Sequence, residues 1–171
     1  MKRFIPVFLS VILIISFSAC SKKADAVDLN RLYSVTAEIS YNGFNSTASL
    51  SRLGNGAWDI NFTAPETISG MNITYVNETA EVTYKGLSFS IPKEEVPLSS
   101  IGEILTKVLD NAATASDTQY TEKNDKIKVK GETAGNKYEL TVDKKSGAIL
   151  NLEIEAIKLD ASFTEFSLMG Q

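Results

Sequence analysis

Alternation of apolar and polar residues, broken at short intervals by turn residues, constrains this 171-residue chain more than any other feature. Tyr33, Val35, Ala37, Ile39 and Tyr41 alternate with Ser34, Thr36, Glu38 and Ser40. That is the period of a strand with one dry face and one wet face. Asn42-Gly43, a strong hairpin signal, sets Tyr41 opposite Phe44, Ala37 opposite Ala48 and Val35 opposite Leu50. Trp58, Ile60 and Phe62 alternate before Pro65 ends the run. A turn at Asn77-Glu78 sets Tyr75 opposite Ala80, Ile73 opposite Val82 and Met71 opposite Tyr84. A turn at Lys85-Gly86 then sets Tyr84 opposite Leu87 and Val82 opposite Phe89. Further on, a turn at Gly135-Asn136 pairs Val129 with Val142, and a loop ending at Gly147 pairs Leu140 with Leu150 and Tyr138 with Leu152. A slip of one residue would turn any of these apolar sets to water, so the expected architecture is a long antiparallel meander.

One segment has a different period. Ile101, Ile104, Leu105, Val108, Leu109 and Ala112 recur at helical spacing, and Ser100 with Glu103 has the pattern of a capping box. A helix of about 14 residues is ~21 Å long and ~10 Å wide, whereas nine or ten strands spaced ~4.8 Å apart reach ~45 Å. One helix covers two or three strands. The expected fold is therefore mainly β (α+β), a curved antiparallel half-barrel of about nine or ten strands. One amphipathic helix packs on its concave apolar face through Leu105 and Val108, with an apolar hollow left over.

The N-terminus places the chain in the cell. Lys2 and Arg3 precede an apolar run from Phe4 to Phe17, followed by Ser18-Ala19-Cys20. A charged start, an apolar stretch shorter than the ~20 residues of a membrane span and a small-residue cleavage site make a secretory signal. The Ser18-Ala19-Cys20 run resembles the lipobox of bacterial lipoproteins, which implies a diacylglycerol on Cys20 and an extracytoplasmic chain anchored to the cell membrane, or to an outer membrane where there is one. Cys20 is the sole cysteine, which suits consumption of its thiol by a modification. The expected organisation is a signal over 1–19, a lipid-anchored tether over 20–30 and a single domain over 31–171.

Charge and composition narrow the function. Without Lys2 and Arg3, 15 of the 17 basic residues remain beside 21 acids, a net charge of −6, which argues against a nucleic-acid partner. The chain has no histidine, which removes the commonest general base and the usual metal sites, and nothing points to an enzyme, a cofactor or a metal. Glu94-Glu95 and the pair Glu153 and Glu155 read as solvated surface.

Several local runs accompany the strand order: Gly56-Ala57-Trp58-Asp59-Ile60-Asn61-Phe62 followed by Pro65, Gly70 before a strand, Tyr84-Lys85-Gly86-Leu87, and Asp143-Lys144-Lys145-Ser146-Gly147 leading into an alternating strand. Over roughly residues 33–168 this arrangement resembles the LolA/LolB-like lipoprotein-carrier superfamily, especially its lipid-anchored members. The resemblance implies a half-barrel wrapped over a hydrophobic cavity. The residues expected to line it are Trp58, Ile60, Phe62, Met71, Ile73, Tyr75, Val82, Tyr84, Leu87, Phe89, Leu105 and Val108, each of which also suits an ordinary core. A filled cavity would make the chain a membrane-anchored lipoprotein binding a lipid or other hydrophobic ligand. A packed one would favour a non-catalytic lipoprotein that engages or regulates a cell-envelope enzyme, for example in cell-wall or spore-cortex processing.

Overall fold

Two meanders share one sheet. The computed structural model describes residues 27–97 and 100–170; the leader, Cys20 and the tether up to Ala26 lie outside the described residues. The first meander runs β1 (Tyr33–Tyr41), β2 (Phe44–Gly54), β3 (Ala57–Ala64), β4 (Asn72–Val76), β5 (Thr79–Tyr84) and β6 (Leu87–Pro92). The helix α1 (Ile101–Thr114) follows, then β7 (Gln119–Lys123), β8 (Lys126–Thr133), β9 (Asn136–Asp143), β10 (Ile149–Ile154) and β11 (Leu159–Leu168). All neighbours are antiparallel, in the order β6-β5-β4-β3-β2-β1-β11-β10-β9-β8-β7.

That order explains the position of the helix. β6 and β7 are the two outer edges, and the chain between them must cross the whole sheet. It crosses on the dry face, burying Leu105, Val108, Leu109 and Ala112, so the sheet curls around α1. This is the half-barrel that the sequence resemblance implies. Ser100 caps the helix by accepting from the Glu103 N–H at 3.4 Å. Only half of the capping box forms, because the Glu103 carboxylate turns instead to Lys107 Nζ at 2.8 Å.

Hairpin chemistry sets the register. Asn42 and Gly43 both take positive φ, as do Asn77 and Glu78, and Lys85 and Gly86, which two-residue type I′ turns require. The pairs Ala37–Ala48, Val35–Leu50, Ile73–Val82, Tyr84–Leu87 and Val82–Phe89 follow as expected. The second meander differs from expectation in three places. The turn between β8 and β9 is Ala134-Gly135, both at positive φ, so Val129 faces Leu140 and not Val142. A bulge between Ile149 and Asn151 sets Leu140 opposite Leu152 and not Leu150. Both corrections shift the pairing by two residues and so keep Val129, Leu140 and Leu152 on the dry face, while the bulge buries Ile149 and leaves Leu150 half-buried. The sheet also has eleven strands rather than nine or ten. The extra edge strand β7 has Tyr120 as its one apolar residue, too little to announce alternation.

A buried ion pair fastens the helix to the sheet. Arg52 on β2 faces the dry side beside Trp58 and is 1% exposed. Its Nε donates to Asp110 Oδ1 of α1 at 3.0 Å, its Nη1 to the Arg31 carbonyl at 3.1 Å and its Nη2 to Asn30 Oδ1 at 3.0 Å. The other oxygen of Asp110 accepts from Trp58 Nε1 and from the Gly56 N–H, both at 3.0 Å. With Leu29 also buried, packing of the domain reaches back into the 20–30 segment. Removing one partner of a buried pair strands the other charge at a cost of about 3–5 kcal/mol. Because Asp110 keeps 16% side-chain exposure, Asp110→Ala is expected near the low end, about 3 kcal/mol in denaturant unfolding. Combining Arg52→Met with Asp110→Leu should recover only part of that loss, because Trp58 Nε1 stays buried without its acceptor, and an Asp110→Ala chain of unchanged stability would contradict this role.

Candidate functional site

The twelve residues expected to line a cavity separate into two groups. Trp58, Ile60, Phe62, Tyr75, Leu105 and Val108 are all buried. A side chain lining open space would keep accessible surface, and Trp58, Ile60 and Leu105 keep none. These six belong to the close-packed core between α1 and the sheet. Gly102 shows how close the helix comes: a Cβ there would sit 3.1 Å from the Tyr75 hydroxyl and 3.3 Å from Ile60 Cδ1.

The other six, Met71, Ile73, Val82, Tyr84, Leu87 and Phe89, continue the same face beyond the reach of the helix. The register runs Ile60–Ile73, Ile73–Val82, Val82–Phe89. Exposure rises along that row: Ile60 is fully buried, Ile73 and Val82 are half-buried, and Phe89 is 55% exposed. Leu87, opposite Tyr84, is 72% exposed. The apolar face that the helix leaves over is thus a wing on β4–β6, open to solvent. Tyr84 braces its upper edge by donating to the Thr67 carbonyl at 2.6 Å. The reverse face of these strands is polar, with Asp59 accepting from Asn72 and Thr74, and Glu81 from Ser88. Half-buried Ile91 and Ile68 extend the apolar surface.

Polar groups collect where the wing meets the helix. Lys93 Nζ lies 5.5 Å above the Tyr75 ring and donates to the Gly56 carbonyl at 3.3 Å. Burial, reinforced by the negative Glu103, pushes the Tyr75 hydroxyl up to about 12. Glu103 is itself buried, and its Oε2 has no hydrogen-bond partner among the described residues.

A second concavity is of another kind. An open groove of about 1060 Å³ runs along the solvent face of β8–β10, lined by Lys130, Glu132, Lys137, Glu139, Glu153 and Glu155. Glu139 pairs there with Lys128 and with Lys130, the latter at 2.9 Å, and the Lys128 contact leads in holding its carboxyl below the usual range. The groove is wet and carries charges of both signs. It is unsuited to an apolar ligand, and the described residues hold no cluster of three or more metal-ligating side chains.

The ion pair of Arg52 with Asp110 escapes a reading of the sequence. The available signal is parity, since Arg52 falls in phase with Val35, Leu50 and Trp58, where a charge must be buried and therefore paired.

No family model matches the chain, and no curated protein matches it. Among solved structures, an uncharacterised conserved protein from Thermus thermophilus is similar with a TM-score of 0.55 and 13% identity, over 84% of this chain and 82% of that one. A LolA superfamily protein from Nitrosomonas europaea is similar with a TM-score of 0.42 and 12% identity, over 88% and 92%. A DUF1329 family protein from Desulfovibrio piger follows with a TM-score of 0.43 and 11% identity, over 84% and 88%. At such identities the Thermus likeness speaks for the fold alone.

Three buried tyrosines give the domain an alkaline limit. Burial is the main cause of raised hydroxyl pKa values at Tyr33, Tyr75 and Tyr138. A raised folded value means that the fold holds these groups neutral. Their contribution is complete below the ordinary tyrosine value of about 10 and is lost as pH rises above it. Denaturant midpoints measured across that range should fall as tyrosinate absorbance grows. A midpoint flat through the rise of tyrosinate absorbance would contradict the burial of these hydroxyls.

Proposed function

We propose that this chain is a membrane-anchored extracytoplasmic lipoprotein that receives a hydrophobic ligand, of the acyl-chain class, on the β4–β6 wing and does no chemistry on it. The observation that carries this reading is the pair Leu87 and Phe89, the two most exposed large apolar side chains among the described residues. They sit in register with half-buried Val82, Ile73 and Tyr84 on the concave side of the sheet. Fully covering a leucine or phenylalanine side chain is worth about 1.5–3 kcal/mol, so a chain laid along this row gains from each. Acyl chains need an apolar surface more than directed polar contacts, and the wing offers that surface without a catalytic group. The leader and Cys20 supply the other half of the reading, a tether that keeps the wing beside a membrane.

Trp58 lies in the closed core and would not report a ligand on the wing, so the test is by mass. Full-length protein extracted from membranes and examined by native mass spectrometry should carry a diacylglycerol on Cys20 and a separable acyl lipid. Leu87→Glu, at an exposed position that leaves the fold intact, should weaken lipid retention by about tenfold or more, which corresponds to about 1.4 kcal/mol. A chain that carries no separable lipid, and binds none from an offered panel, would instead favour engagement of an envelope protein.

A further inference from the structure

The two edges of the sheet differ in kind. β7 is guarded by charge: Glu122 pairs with Lys144, and Lys123 and Lys126 stand at its tip. Such charges discourage a further strand from adding. β6 (Leu87–Pro92) carries no charged residue, and two of its side chains are the exposed Leu87 and Phe89. The two-residue turn at Lys85-Gly86 makes Tyr84 and Leu87 a hydrogen-bonded pair. The backbone groups of Leu87, Phe89 and Ile91 therefore serve β5. Those of Ser88 and Ser90 point to the open edge.

The sequence of this edge is close to a palindrome, Leu87-Ser88-Phe89-Ser90-Ile91. An antiparallel partner related by a two-fold axis at Phe89 would meet like with like. Leu87 would face Ile91 of a second copy, Ser88 would face Ser90, and Phe89 would face itself. The free N–H and C=O groups of Ser88 and Ser90 fall at the hydrogen-bonded positions of this register, and Phe89 falls at the closer, non-hydrogen-bonded one. Pro92, which has no N–H to donate, lies opposite Gly86 and closes the pairing. Beyond it, Lys85 of one hairpin falls opposite Lys93 of the other, whose ammonium is already drawn to the Gly56 carbonyl and the Tyr75 ring, with Glu94 and Glu95 next in the chain.

We propose that β6 is a homodimerisation edge, pairing with β6 of a second copy about a two-fold axis through Phe89. An axis perpendicular to the sheet keeps both concave faces on the same side. The two apolar wings then join into one continuous floor, and the isologous contact closes without leading to fibres.

Cysteine crosslinking of the full-length chain in membranes tests the register. Across a non-hydrogen-bonded pair the Cα atoms are about 4.5 Å apart, within disulfide reach. Phe89→Cys should therefore yield a disulfide-linked dimer on mild oxidation. Leu87→Cys should not exceed the unsubstituted chain, because two copies of position 87 lie roughly 14 Å apart in this register. Leu87→Cys mixed with Ile91→Cys should crosslink. The unsubstituted chain in mild detergent should show twice the protomer mass by light scattering. Ser90→Pro, which removes only an outward N–H, should return it to the protomer mass. Phe89→Cys at the background of the unsubstituted chain, equal crosslinking at positions 87 and 89, or an undiminished Ser90→Pro dimer would overturn the proposal.

Discussion

The ion pair between Arg52 and Asp110 decides what the rest of the sheet can do. A guanidinium at 1% exposure is tolerable only with a charge and hydrogen bonds around it, and Arg52 is answered through Nε, Nη1 and Nη2 by the helix and by the segment 30–31. Asp110 in turn binds Trp58 and the Gly56 N–H. The helix is therefore fixed in direction and height over β2 and β3, where greasy contacts alone would let it slide. In the other half of the sheet, on the same face, Tyr138 donates to Asn111 at 2.7 Å and ties the helix to β9.

A helix fixed there cannot cover everything. The connection from one sheet edge to the other forces a single crossing, and one helix is about 10 Å wide. The strands beneath it close into core. The strands at the β6 side keep the same apolar alternation, but past Tyr75 and Ala80, which are buried, exposure rises to Leu87 and Phe89. This is why the apolar face is closed at Trp58 and Ile60 and open at Phe89, although one run of cross-strand neighbours joins Ile60 to Phe89. Apolar surface of this kind is a hazard unless something occupies it. An acyl ligand on the wing and a second copy at its edge are two compatible ways of occupying it.

Much of this is legible in the chain. Hairpins with Asn-Gly, Asn-Glu or Lys-Gly turns declare themselves because positive φ at two successive positions leaves few choices. The register of the second meander departs from its pattern where the signal is ambiguous, since Ala134 takes the positive φ that Asn136 would suit, and Leu150 forms a bulge that no pattern marks. β7 is too polar and too short to show a period. Alternation identifies which residues share the dry face and is silent about which of them the helix covers. That depends on Asp110 finding Arg52, 58 positions away in the chain, and no local period encodes such a contact. The leader expected before Cys20 rests on the sequence alone and lies outside the described residues.

The central claim is that an apolar ligand meets the open β4–β6 wing and leaves the closed core beneath α1 untouched. Amide hydrogen exchange of the full-length protein, with and without vesicles of a long-chain phospholipid, tests it most directly. The account predicts added protection confined to residues 72–92, with β2, β3 and residues 101–114 exchanging as slowly as before. Protection or loosening centred on the helix and β3, with no change across 72–92, would contradict it.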